Sequence, residues 1–102
     1  MGFTAKQVQK CWDYWYKPLH GNHRLAAWVR SRAHPEHYTL DAHGKLIYKF
    51  SHGKRSKMGW EMGHIRSKHA GGSDNLRRNV RPENHRDNRA HQSKHMYKHK
   101  LK

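Results

Sequence analysis

Apolar residues are too scarce in this chain for more than one small core. Hydrophobic side chains make up 33% of its 102 residues, against roughly 45–50% in ordinary domains, whose count includes glycine. A chain of this length is one domain's worth, and so little apolar surface leaves room for a single small interior. Four Trp and five Tyr are nevertheless more anchors than a permanently disordered chain carries. One folded domain over residues 1–102 is the expectation.

Charge narrows the partners. There are 22 Lys+Arg against 7 Asp+Glu, a net charge of +15, where solubility alone asks for a magnitude of roughly 2–8 in a small domain. Such a surface seeks polyanions, and nucleic acid leads over anionic lipid and acidic proteins. The basic residues run along the whole chain and lie beside aromatics, as in Trp28-Val29-Arg30-Ser31-Arg32. No apolar run approaches the roughly 18–20 residues of a membrane span, and no signal-peptide core follows Met1. No window offers the apolar face of a membrane-surface helix. The single Cys11 excludes an internal disulfide and a Cys-based zinc site, zinc fingers included.

Residues 4–16 read as a first helix. Thr4 and Gln7 stand at capping-box spacing, and Val8, Cys11, Trp12 and Trp15 fall on one face. Pro18 and Gly21 stop it. Asn22 caps a second short helix with Leu25, Trp28 and Val29 inward and Pro35 beyond its end. Both are expected to pack, completing a helical region over residues 1–36. Residues 37–40 and 45–50 read as the strands of a hairpin around Asp41-Ala42-His43-Gly44, followed by a basic connector to about residue 56. Residues 60–65 read as one more strand, and 66–75 as loop around Gly71-Gly72-Ser73-Asp74. Pro82 sits just before a final helix over about 84–98. Only Ala90, Met96 and Tyr97 are apolar there, so polar contacts and capping must hold it.

The chemistry concentrates in residues 57–98. Gly63-His64-Ile65 is followed by the Gly-Gly loop, then Asn79-Val80-Arg81-Pro82-Glu83, then Asn88-Arg89. A histidine at a strand end, a glycine-rich loop, an asparagine and a polar helix suit phosphodiester hydrolysis. An imidazole titrates near neutrality and can take a proton from an attacking water. A divalent cation on helix side chains can stabilise the phosphate and its leaving oxygen. The asparagine amide can fix the loop and keep the histidine aimed.

This stretch, about residues 60–92, resembles the HNH/endonuclease VII superfamily, whose pattern runs from a strand-end histidine past Gly-Gly to Asn-Leu-x-Pro. A metal-binding Asn or His follows nine residues after the first Asn, which here is the step from Asn79 to Asn88, with Pro82 at the pattern's proline. Trp60-Glu61-Met62-Gly63-His64, Arg81-Pro82-Glu83, Asn88-Arg89 and His91 are most similar to the GH-E branch, found as C-terminal toxin domains of bacterial polymorphic toxins, LXG-type ones included. The hairpin around Asp41-Ala42-His43-Gly44 stands where that branch has one. The resemblance implies an α+β fold: a small ββα-metal (HNH, His-Me finger) nuclease core with N-terminal helices and a β-hairpin.

Residue by residue, it implies His64 as general base, Asn79 as the loop-fixing asparagine, and Asn88 as a metal ligand or phosphate contact. It implies Glu83 as the branch's acid, ligating metal directly or through water, where the reading without it is a helix N-terminal acid favourable to the dipole. Many HNH enzymes carry a ligand just before the base, and here that position is Gly63, so Glu83, Asn88 and His91 must supply the ligands. Oxygen donors suit Mg²⁺ or Mn²⁺, and recruiting His91 moves the preference toward Zn²⁺ or Ni²⁺. His91, His95 and His99 lie four apart, but the family register points to Asn88 and Gln92, leaving His95 and His99 as a solvated or phosphate-facing edge. Arg66, Lys68, Arg77, Arg78, Arg81, Arg86 and Arg89 surround the site and favour backbone binding.

The expected function is a metal-dependent DNA endonuclease of low sequence preference, a toxin domain or compact standalone nuclease. Its expected site of action is the cytoplasm, reached in a target cell by delivery within a larger toxin. An RNA-cleaving toxin of the same fold and a non-catalytic nucleic-acid-binding module are the alternatives. A toxin role also implies an acidic immunity protein.

Overall fold

In the computed structural model, which describes residues 2–20 and 24–90, helix α1 spans Ala5–Trp15 and opens on the capping box that Thr4 and Gln7 prescribe. The Thr4 hydroxyl accepts from the Gln7 N–H at 3.1 Å, and the Gln7 side chain accepts from the Thr4 N–H at 2.8 Å. Two of the otherwise unpaired donors of the first turn are thereby satisfied. The inward stripe is the one the spacing predicts, with Cys11 and Trp12 buried and Val8 and Trp15 half-buried. The Cys11 thiol lies 3.6 Å from the Val80 carbonyl, and burial pushes its pKa up to about 12, so it stays protonated and unreactive near neutrality.

Helix α2 is only Ala26–Arg30. Five residues make barely more than one turn, and Ala26 and Val29 take its buried stripe. Trp28, expected inward, remains 40% exposed. The expected cap, Asn22, lies outside the described residues.

The first hairpin pairs β1 (Tyr38–Leu40) with β2 (Leu46–Tyr48). Its turn is organised by Asp41, whose Oδ1 accepts from the His43 and Lys45 N–H groups, both at 2.9 Å. The second strand stops two residues short of expectation because Lys49–Ser51 coils into a 3₁₀ turn. The second hairpin pairs β3 (Trp60–His64) with β4 (Val80–Asn84) in the register Trp60↔Asn84 to His64↔Val80.

Strand β4 corrects the sequence reading, which placed Pro82 in the lead-in to a helix and considered Glu83 a helix N-terminal acid. The Ile65 N–H donates to the Asn79 carbonyl at 2.7 Å. Alternation from that bonded pair puts Met62↔Pro82 in a non-hydrogen-bonded position. Proline's missing N–H therefore costs the ladder nothing. Residues 85–90 are helical. The remainder of the expected last helix, with His91, Gln92, His95, Met96, Tyr97, Lys98 and His99, lies outside the described residues.

The core is Trp12, Ile47 and Trp60, flanked by Val8, Tyr16 and Met62. It sits where α1 meets both hairpins, with the Trp12 and Trp60 rings 5.3 Å apart. The Trp60 indole N–H donates to the carbonyls of Tyr48 at 2.9 Å and Lys49 at 3.2 Å, which ties β3 to the end of β2. A second clasp is polar: Asp41 Oδ2 accepts from the Asn84 N–H at 2.9 Å. Burial pushes the Asp41 carboxyl up, against the lowering pull of the Asn84, Lys45 and His43 N–H groups. Among the described residues, no helix is long and apolar enough to cross a membrane.

Candidate active site

The second hairpin delivers two groups of side chains, one on either side of the Gly63–His64 peptide. On one face, Glu83 and Asn88 converge on Gly63. A Cβ on residue 63 would stand 2.5 Å from Asn88 Oδ1 and 2.7 Å from Glu83 Oε2. The absent side chain thus leaves the space that the two oxygens occupy. Glu83 is fully buried, and a buried carboxylate needs compensation. Arg81 supplies it from the same strand face, its Nε donating to Glu83 Oε2 at 3.1 Å. His43, from the turn of the first hairpin, brings Nε2 to 3.4 Å from Glu83 Oε1. Glu83 Oε1 and Asn88 Oδ1 are nonetheless buried without a hydrogen bond among the described residues. Glu61 pairs across the strands with Glu83 and faces Arg89, with Nε 3.5 Å from Glu61 Oε1.

Oxygen donors are the kind a hard divalent cation takes, and Glu83 and Asn88 are the residues here that could hold one. They offer a carboxylate and an amide oxygen at one buried point, with an imidazole beside them. Of the ligands expected from sequence, Glu83 and Asn88 come together here, and His91 lies outside the described residues. Among the described residues, a trio of His, Cys, Asp or Glu side chains with ligand atoms within 4.8 Å of one another occurs elsewhere: His34, Glu36 and His37 on the surface. Sequence reasoning did not single it out, and exposed groups of mixed donors point to no particular metal.

On the other side, His64 Nε2 lies 2.7 Å from Asp74 Oδ1, and Lys68 Nζ lies 3.2 Å from Asp74 Oδ2. The His64 hydrogen bond, followed by that of Lys68, holds the Asp74 carboxyl below the usual carboxylate range. The Phe3 ring stands 5.9 Å from the His64 ring. Asn79 bonds across the intervening loop. Its Oδ1 accepts from the Arg66 N–H at 2.9 Å, and its Nδ2 donates to the carbonyls of Arg66 at 3.1 Å and Ser73 at 2.6 Å. The two loop glycines answer separate demands: Gly71 has φ +84°, and a Cβ on Gly72 would collide with the Arg66 carbonyl.

The seven basic residues divide. Arg66, Lys68, Arg77 and Arg78 are exposed around the loop, with Arg77 stacked over Tyr14 at 4.5 Å. Arg81 is spent on Glu83, and Arg89 faces Glu61. Arg86 lines a different cavity, beside α2. Sequence reasoning missed Asp74 as the partner of His64 and His43 as the neighbour of Glu83. The first stood within the quoted Gly71-Gly72-Ser73-Asp74 loop. The second crosses forty residues, and no local pattern marks it.

Gly63→Ala is expected to lower stability by about 1–3 kcal/mol, the usual cost of inserting a methyl into filled space. Glu83 is fully buried and cannot swing into solvent to make room. Urea denaturation beside Gly2→Ala, where a Cβ meets nothing within 4 Å, measures it; equal midpoints would show the crowding to be harmless.

No protein-family model, curated protein or solved structure matches this chain.

Proposed function

We propose that this protein is a metal-dependent endonuclease that hydrolyses DNA phosphodiester bonds with low sequence preference. In this reading the second hairpin and the helix after it are a ββα-metal core of the HNH kind, closest to the GH-E branch, and the protein serves as a bacterial toxin domain. The observation that carries it is the convergence of Glu83 and Asn88 on Gly63, the residue before His64, with Glu83 Oε1 and Asn88 Oδ1 buried and without a hydrogen bond among the described residues. Each such oxygen costs about 1–3 kcal/mol if left alone. A purely structural Arg81–Glu83 ion pair does not require the Asn88 amide oxygen to be turned toward the same carboxylate.

Glu83 and Asn88 would hold Mg²⁺ or Mn²⁺, and recruiting His43 moves the preference toward Zn²⁺ or Ni²⁺. When bound, the ion supplies positive charge to the phosphoryl and leaving oxygens. The remaining steps belong to the chain. In this reading Nε2 donates to the Asp74 carboxylate, which makes Nδ1 the nitrogen assigned to general-base work. Nδ1 takes a proton from a water as the water oxygen bonds to phosphorus, and the bond from phosphorus to the leaving oxygen breaks. Asn79 holds the loop that carries Asp74, through the Ser73 carbonyl. Arg66, Arg77 and Arg78 bind flanking phosphates. Acting as a toxin, a chain of charge +15 would be restrained by an acidic immunity protein, steered by charge.

The test is supercoiled plasmid beside a structured RNA, each with Mg²⁺, Mn²⁺, Ni²⁺, Zn²⁺ or EDTA. Loss of plasmid with metal and its survival in EDTA is the expected result. Loss of RNA alone replaces the substrate and keeps the site. Survival of both, with tight salt-sensitive binding intact, overturns the enzyme and leaves a binding module.

A further inference from the structure

A second concavity lies across the first hairpin's turn from Glu83. Its volume is about 760 Å³, within the roughly 300–1,000 Å³ of ligand clefts. Leu25, Trp28, Leu46 and Met58 form its apolar lining, and Arg24, Lys57 and Arg86 add three cations. Among the described residues none of the three forms an ion pair, whereas Lys45, also on the wall, is held by Asp87 at 2.9 Å. The turn is shared: Gly44 and Lys45 face this cavity, while the neighbouring His43 reaches Glu83.

Trp28 is 40% exposed in a chain with little apolar surface to spare. It is edge-on to Tyr38 at 5.4 Å, with the Arg32 guanidinium 4.6 Å over its ring. The other large exposed apolar residues among those described, Tyr14 and Phe50, are aromatic too, each with a cation over its ring. An aromatic wall in an unpaired cationic rim matches one ligand chemistry closely: a planar base flanked by phosphates. An acidic peptide would satisfy the cations and leave the indole without a planar partner. In a duplex the base faces are already stacked and cannot reach such a wall.

We propose that this cavity seats an unstacked nucleobase, so that the protein engages its nucleic acid as a single-stranded segment lying across the first hairpin's turn. The inference deepens the nuclease reading and rests on it only for the link between binding here and cutting beside Glu83. Arg24, Lys57 and Arg86 hold phosphates of the strand, and Trp28 stacks the base. Stacking tolerates any base, in keeping with low sequence preference.

The test measures fluorescence anisotropy of an end-labelled single-stranded DNA oligonucleotide and of the same sequence as a duplex, in EDTA so that neither is cut. Trp28→Ala is expected to weaken single-strand binding roughly 5- to 100-fold and to change duplex binding less than about two-fold, with Trp28→Phe recovering most of the loss. Lys57→Ala and Arg86→Ala, both exposed positions, should each make the salt dependence shallower by about one ion. These two keep the test decisive if Trp28→Ala fails to fold. Equal losses for both DNA forms, no loss with Trp28→Ala, unchanged salt slopes, or displacement of the oligonucleotide by polyglutamate at matched charge would overturn the proposal. Trp28-dependent binding without cleavage of any substrate removes the nuclease and leaves the cavity's role. Cleavage without Trp28-dependent binding does the reverse.

Discussion

His64→Ala is expected to slow metal-dependent plasmid cleavage by about 10²–10⁴-fold, the usual contribution of a positioned acid–base group. DNA affinity measured in EDTA should stay within about two-fold, because the exposed cations Arg66, Arg77 and Arg78 are untouched. The fold should survive as well: His64 is the last residue of β3, and the Trp12–Ile47–Trp60 core lies elsewhere. Asp74→Asn is a milder version of the same experiment. Its amide can still meet His64 Nε2 but no longer requires that nitrogen to carry the proton, so the rate falls while binding holds. A His64→Ala protein that cuts at the wild-type rate would remove histidine from the mechanism. A loss of rate that merely tracks a loss of DNA affinity would make His64 a phosphate contact.

Trp60→Ala carries the largest expected cost in stability, about 3–5 kcal/mol, in a domain whose whole margin is of the order of 5–15 kcal/mol. Three contributions meet in this side chain. It is 1% exposed, packs on Trp12 at 5.3 Å, and donates its indole N–H to two carbonyls at the end of the first hairpin. With so small a core, only Trp12, Ile47 and the flanking Val8, Tyr16 and Met62 border the space it would leave. Trp60→Phe separates the contributions, keeping most of the packing and losing the donor, for about 1–2 kcal/mol. Urea unfolding followed by circular dichroism reads both. A Trp60→Ala midpoint within error of wild type would show that contacts other than this side chain, the Asp41–Asn84 clasp among them, hold the two hairpins together.

Local chemistry made α1 and the first hairpin legible. A capping box, one apolar stripe at helical spacing, and strand residues around a Gly-containing turn act over a few residues each, so their signals survive in one dimension. Asn79 belongs with them in part: an amide just after the Gly-Gly loop can tie that loop down, and its side chain bridges Arg66 and Ser73. Strand β4 was not legible. Val80-Arg81-Pro82-Glu83-Asn84 lacks the apolar alternation of a half-buried strand, since its buried positions include Pro82, Glu83 and Asn84. What makes it a strand is β3, sixteen or more residues away in the pairing, and a register that spares the proline. Trp28 was misplaced for a related reason: face arithmetic assumes a helix longer than the five residues of α2.

The sequence by itself determined that this chain has one small aromatic core, a cationic surface suited to polyanions, and a His64–Asn79–Asn88 spacing worth testing. Those properties are sums and short-range patterns, which need no fold to be read. Only the tertiary structure decided that Glu83 is a buried strand residue neutralised by Arg81, that its oxygen and that of Asn88 share the space left by Gly63, and that His43 and Trp28 stand on opposite sides of one turn. Each of these depends on which backbone segments lie against each other, and pairing energy between distant segments leaves no mark on the residues in between.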